Sequence, residues 1–309
     1  IVIAAAMIIP CLMAFVLREH EAASAFILTL LISGCLGIYI VMYLSPSPAK
    51  IKSRDGFLVV SVSWLVVSIA GAIPFYACEV VPTFIDAFFE IVSGFTTTGA
   101  SILSDVEALS HVSLFWRSFT HWIGGMGVLV FLLAVAPVGG QGNGFTMHLL
   151  RAESPGPNVG KLVPRMGKTA KILYCMYILL TILNVVFLLY GDMPLFDSVC
   201  TAFGTAGTGG FGIKNDSIAG YSPYIQNVCT VFMILFGVNF SCYYLLLLKQ
   251  FKAVFKDQEL RLYLGVIVGS IALIAWNIRG MYQTIGETLR HASFQVASII
   301  TTTGFATTD

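Results

Sequence analysis

Apolar positions in this chain gather into long runs, and polar positions fall mainly in the gaps between them. Seven runs, near 1–17, 25–44, 57–78, 112–136, 171–190, 224–248 and 262–278, approach the roughly 20 residues that carry an α-helix across a bilayer. Three shorter apolar pieces, 84–95, 195–205 and 288–300, cannot cross. Each runs straight into a Thr/Gly phrase: Thr96-Thr97-Thr98-Gly99-Ala100, Gly207-Thr208-Gly209-Gly210-Phe211 and Thr301-Thr302-Thr303-Gly304-Phe305. A short helix followed by irregular backbone at membrane depth is a re-entrant hairpin, tolerated only where it is buried in protein or lines a cavity. The predicted class is therefore all-α and integral to the membrane.

The repeated phrase has a chemistry. Glycine admits the left-handed conformations that turn successive carbonyls one way, and rings of such carbonyls can replace the water around a dehydrated cation. The carbonyls at Thr97, Thr98, Gly207, Thr208, Thr302 and Thr303 are the candidate K⁺ contacts, with Thr96 and Thr301 beside them. Gly99, Gly209 and Gly304 are aligned as the residues supplying conformational freedom. Ser93-Gly94-Phe95-Thr96-Thr97-Thr98-Gly99 also overlays Ser298-Ile299-Ile300-Thr301-Thr302-Thr303-Gly304 without a gap.

Composition agrees with a bilayer protein: 57% of residues are hydrophobic and 11% charged, against about 25% charged in an average soluble domain. A net charge of +1 and the lack of a basic tract give no reason to expect a nucleic-acid partner. The seven cysteines have no CxxC spacing and read as inert thiols in apolar surroundings. The N-terminal run has no basic segment before it and reads as a membrane helix rather than a signal peptide.

Charge also orients the chain. With the N-terminus inside and the short pieces not crossing, loops 45–56, 141–171 and 249–261 are cytoplasmic and hold twelve of the 17 basic residues. Twelve of the 16 acidic residues, among them Asp86, Glu90, Asp105 and Asp197, fall on the other side with the Thr/Gly loops. An acidic outer vestibule raises the local concentration of cations.

The predicted unit is outer helix, pore helix, filter loop, inner helix. Residues 1–48 form two peripheral helices. The first repeat occupies 49–150 with its filter loop at 96–101, and the second 151–256 with its loop at 206–211. An incomplete third repeat occupies 257–309 with its loop at 301–305. A fourth repeat is expected in a longer chain of which this sequence is a part.

These residues resemble the TrkH/KtrB/HKT superfamily of potassium transporters, nearest its TrkH branch. The resemblance rests on Lys52-Ser53-Arg54-Asp55-Gly56-Phe57, Asp86-Ala87-Phe88-Phe89-Glu90, Trp122-Ile123-Gly124-Gly125-Met126-Gly127, Arg151-Ala152-Glu153-Ser154-Pro155-Gly156-Pro157 and the three filter phrases. It implies four repeats around one pseudo-fourfold K⁺ pore and a homodimer in a bacterial inner membrane. It further implies gating by a cytosolic nucleotide-binding ring of the TrkA kind. K⁺ is the transported ion, and neither a cofactor nor a transition-metal site is expected. Glycine at the aligned filter positions looks like the K⁺-preferring version, since Na⁺-preferring members often carry Ser in the first loop.

Other positions carry two readings each. Gly237, Asn239 and Ser241 put a polar, flexible break in the second inner helix, lining the pore or bonding between helices. Gly124-Gly125-Met126-Gly127 suits close helix packing. Arg117 and His121 share a helix face, placed to anchor against acidic outer loops. Asp86 and Asp197 read as helix caps rather than ion ligands, with Glu90 near the same helix start. The Gly-rich stretch 139–144 lacks the Gly-Lys-Ser/Thr of a phosphate loop, and its basic neighbourhood suits a cytosolic partner or anionic lipid. No HExxH or GxSxG phrase supports an enzyme. Channel-like K⁺ uptake and K⁺ symport with Na⁺ or H⁺ remain as the two transport readings.

Overall fold

The computed structural model of the chain describes residues 1–43, 53–127 and 166–308. Among these, all regular structure is helical. Helix α1 (Val2–Leu17) turns into α2 (His20–Tyr43) through Arg18, whose left-handed φ of 59° closes a tight reversal. The first repeat follows as α3 (Ser53–Ala77), α4 (Phe84–Phe95) and α5 (His111–Gly125). The second is α6 (Met166–Tyr190), α7 (Leu195–Ala206), α8 (Pro223–Phe236) and α9 (Phe240–Leu247). The short α10 (Phe251–Lys256) leads into α11 (Gln258–Ile278) and α12 (Ile285–Ile300) of the third.

Helices α2, α3, α6 and α11 are long and apolar enough to cross a membrane. The short helices α4, α7 and α12 coincide with the three pieces predicted not to cross. Of the predicted span 112–136, residues from 128 onward lie outside the described residues. So do most of loops 45–56 and 141–171, and with them the stretches 139–144 and 151–157.

The predicted span 224–248 breaks where Gly237, Asn239 and Ser241 were expected to break it, into two helices bent by 85°. Helix α8 closes at Gly237, and Asn239 starts α9 by accepting the Ser241 N–H at 2.9 Å. A break at membrane depth frees carbonyls that lipid cannot satisfy. Tyr263 Oη–H reaches the freed Ile234 carbonyl at 3.0 Å, while the Leu235 carbonyl accepts both the Val238 N–H at 3.2 Å and Tyr243 Oη–H at 2.7 Å.

Packing around α4 shows how a pore helix is held. Ala87, Ile91 and Phe95, spaced by four, are fully buried on one face. Gly71 of α3 lets them approach, since a Cβ there would lie 2.9 Å from both Ile91 and Phe95. Trp116 of α5 meets Phe95 edge-on at 6.2 Å and donates its indole N–H to the Gly71 carbonyl at 3.1 Å. In a bilayer such contacts stabilise through van der Waals packing and hydrogen bonds rather than dehydration. The peripheral pair docks on the same unit: both carboxylate oxygens of Glu19 cap α5, accepting from His111 N–H at 3.1 Å and Val112 N–H at 3.2 Å.

Candidate functional site

Helix α4 begins at Thr83, whose hydroxyl accepts the Asp86 N–H at 3.2 Å and donates to the Asp86 carboxylate at 2.7 Å. Asp86 is thus part of a cap, as its sequence position suggests. Asp197, in the first turn of α7, accepts the Tyr221 hydroxyl at 2.8 Å.

All three short helices end in one and the same turn. Thr97, Thr208 and Thr302 adopt φ of 54°, 53° and 58°. The following N–H bonds back to the carbonyl five residues earlier: Thr98 to Ser93 at 2.9 Å, Gly209 to Gly204 at 3.1 Å and Thr303 to Ser298 at 2.8 Å. This is a Schellman helix end with Thr, not Gly, at the left-handed position, an unfavourable place for a β-branched residue. Two residues later a second left-handed residue follows in each loop: Gly99 at 74°, Gly210 at 71° and Gly304 at 83°. The backbone N–H groups of Thr97, Thr208 and Thr302 also point back into their helices. The carbonyls of Thr97, Thr98, Thr208, Gly209, Thr302 and Thr303 receive no hydrogen bond among the described residues. Each loop therefore turns its donors inward and leaves acceptors free.

This shared backbone corrects the alignment read from sequence. Gly210, not Gly209, is the counterpart of Gly99 and Gly304. Gly207 and Gly209 stand where the other loops have Thr96/Thr98 and Thr301/Thr303. In those loops the two hydroxyls bond to each other, at 2.9 Å for Thr96–Thr98 and 2.7 Å for Thr301–Thr303. In the second loop His121 takes that space: a Cβ on Gly207 would strike its carbonyl oxygen, and one on Gly209 its ring.

The loops meet in order. A Cβ on Gly99 would collide with the carbonyl oxygen of Gly209, and one on Gly210 with that of Thr303. Loop two thus lies between loops one and three, while Gly304 faces open space among the described residues. Gly124 and Gly125 pack as predicted, the first against the Phe95 carbonyl and the second against the Cα of Gly207. Gly237 lies beside Thr301, with 2.8 Å from a built Cβ to the Thr301 methyl. Asn239 is exposed and donates to Glu259 at 3.2 Å, a bond between helices. Ser241 contributes its backbone N–H to the cap.

Arg117 differs from expectation. Among the described residues it meets no acid of an outer loop but the buried Glu90 of α4, with Nε 2.6 Å from Oε1. Glu90 lies midway along α4 rather than at its start. The signal was present in the sequence: a carboxylate inside an apolar membrane helix requires a partner. Farther out, Asn215 joins the exits of loops one and two, donating to Asp105 at 2.8 Å and accepting the Val106 N–H at 2.9 Å. That bond holds the Asp105 carboxyl below its ordinary value, with the Glu107 N–H adding to the effect. The exits of loops two and three are joined by Ile218 N–H to the Ala306 carbonyl, 3.1 Å, and Ala306 N–H to the Ser217 hydroxyl, 3.2 Å.

Spanning helices that alternate with re-entrant helix–loop units, the loops meeting edge to edge, define a pore-loop membrane protein. A family model described as TrkH, cation transport protein, matches residues 22–309. The chain belongs to this family. It is 38% identical over 309 residues to the Trk system potassium uptake protein TrkH of Salmonella typhimurium, covering 97% of this chain and 63% of that protein. It is 35% identical to the Trk system potassium uptake protein TrkG of Escherichia coli, covering 97% and 62%. The crystal structure of the potassium transporter TrkH from Vibrio parahaemolyticus matches with a TM-score of 0.83 and 30% identity, over 99% of this chain and 63% of that one. The chain thus spans a little over three fifths of the length of these relatives.

Proposed function

We propose that this chain contributes the ion pathway of a potassium uptake protein, in which dehydrated K⁺ passes a filter of backbone carbonyls. The observation that carries this reading is the recurrence of one left-handed turn in three loops, with each glycine of the first two seated on a carbonyl of the next loop. The contributing residues are Thr96–Gly99, Gly207–Gly210 and Thr301–Gly304. The free flanks at Thr98 and Gly304 are where a fourth loop completes a pseudo-fourfold ring. Short helices ending at these loops direct the negative ends of their dipoles toward the ion. The names of the relatives support potassium as the cargo.

In this reading the protein is a transporter and not an enzyme. Its N-terminus and basic loops face the cytoplasm of a bacterium and its filter faces outward, with a second copy in the membrane. A cytosolic nucleotide-binding ring gates it. The break at Gly237, Asn239 and Ser241, beside Thr301, is the element proposed to line or gate the path below the filter. Passive conduction is preferred over symport with Na⁺ or H⁺, because alternating access needs a site whose halves rock against each other, whereas these three loops are joined by close backbone contacts and by hydrogen bonds at their exits.

The test is K⁺ and Na⁺ flux into liposomes by the full-length protein, with its cytosolic partner and nucleotide supplied. Wild type should pass K⁺ well over Na⁺ and Gly99→Ser should lose that preference. Current that reverses at the K⁺ potential supports conduction, and flux that follows the proton or Na⁺ gradient supports symport. Selectivity indifferent to Gly99→Ser would remove the filter reading.

A further inference from the structure

We propose that Glu90, Arg117 and His121 form a clamp that sets filter loop two against filter loop one, making them positioning residues for ion selection. The inference rests on the pore reading above.

Both carboxylate oxygens of Glu90 are engaged, and two of their three donors lie at the exit of loop one. Its Oε1 accepts the Ser101 hydroxyl at 2.9 Å as well as Arg117, and its Oε2 accepts the Ile102 N–H at 2.9 Å. Arg117 carries the connection to loop two. Its Nη1 donates to the Gly212 carbonyl at 2.8 Å, and its guanidinium lies 3.6 Å from the centre of the Phe211 ring. One helical turn along, the His121 ring stacks on Phe211 at 4.0 Å with 17° between planes. His121 Nδ1 accepts the Phe211 N–H at 3.4 Å. Phe211 directly follows Gly210, so one carboxylate reaches the exits of both loops through a single guanidinium fork.

A buried ion pair is by itself weak grounds for a stabilising role, since dehydration can outweigh attraction. The second repeat shows that the helix pairing itself does not require one. Thr201 stands five residues before the end of α7, as Glu90 stands before the end of α4. Cys229 follows its N-cap Ser222 by seven residues, as Arg117 follows Ser110. Both are buried, and the corresponding helices α7 and α8 pack against each other with no ion pair at these positions. What the charged pair adds in the first repeat is a hold on two loop exits, and charge-assisted bonds in a low-dielectric site are the strong ones.

The experiment compares three variants of the full-length protein in the liposome assay: Glu90→Gln with Arg117→Met together, Phe211→Leu, and Gly99→Ser. Removing both charges leaves no orphaned ion, so the double variant is expected to keep its thermal stability in detergent. Its K⁺-over-Na⁺ preference should fall by about tenfold, the scale of one lost charge-assisted hydrogen bond. Phe211→Leu, which leaves the ion pair intact, should lower the preference by a smaller factor, and it decides the matter if the double variant does not fold. Unchanged preference in folded protein, with Gly99→Ser still altering it, overturns the clamp alone. A wild type without K⁺ preference overturns the pore reading instead.

Discussion

Gly99 faces the backbone carbonyl oxygen of Gly209 with no room for a Cβ between them. Gly210 stands to Thr303 in the same way, so the relation is a rule of the assembly rather than an accident of one turn. Positive φ alone costs a side chain about 1–2 kcal/mol, and the collision with backbone adds to that at both places.

Gly99→Ala and Gly210→Ala should therefore lower thermal stability and abolish K⁺ preference. Gly209→Ala should be milder and correctable, because its obstacle is the His121 ring, a side chain. Shortening His121 to Ser in the same protein should recover stability for Gly209→Ala but not for Gly210→Ala. Thermal unfolding of the paired variants checks this, and equal rescue of both would contradict the loop register described here.

At the bend between α8 and α9, the Tyr263 hydroxyl satisfies the Ile234 carbonyl that the broken helix has released, and the Tyr243 hydroxyl adds a second donor to the Leu235 carbonyl. Tyr263→Phe should destabilise by about 1–3 kcal/mol, the cost of a buried acceptor left unpaired, and Tyr243→Phe by only about 0.5–1.5 kcal/mol, since the Leu235 carbonyl keeps the Val238 N–H. Asn239→Ala, which removes the cap of α9, should cost about 1 kcal/mol. Unfolding midpoints in detergent measure all three, and no loss in either Tyr variant would mean that the bend does not depend on these bonds.

The junction between the outer exits of loops one and two is pH-sensitive in a defined sense. Asn215 hydrogen-bonds the ionised Asp105, which lowers its folded-state pKa, so its contribution is present above the unfolded pKa and fades as pH falls through the folded one. In Asn215→Ala the carboxyl should titrate at a higher pH than in wild type. Carbon-13 NMR of labelled aspartate follows this directly, and coincident titration curves would count against the bond.

Much of this architecture is legible in order along the chain. The non-crossing helix 84–95 and its neighbours at 195–205 and 288–300 appear in the structure within a few residues, because a segment in lipid must satisfy its own backbone. The Thr/Gly phrases were likewise visible. Loop two was read one residue out of register because glycines at 207, 209 and 210 surround Thr208 and permit two alignments. Only the left-handed φ of Gly210 separates them. The break in the run 224–248 was marked by Gly237 and Asn239, but its 85° bend was not, because hydropathy does not register an angle.

Glu90 and Arg117 were each conspicuous, yet nothing linear pairs residues 27 apart. By itself the sequence determined which segments are long and apolar enough to cross, which are too short, and where the Thr/Gly loops fall, since these follow from each segment's own apolarity and backbone freedom. Which glycine faces which carbonyl, why loop two lacks threonines at 207 and 209, and what Arg117 holds are contacts between segments. Those depend on the shape left by neighbouring helices, and only the tertiary structure decided them.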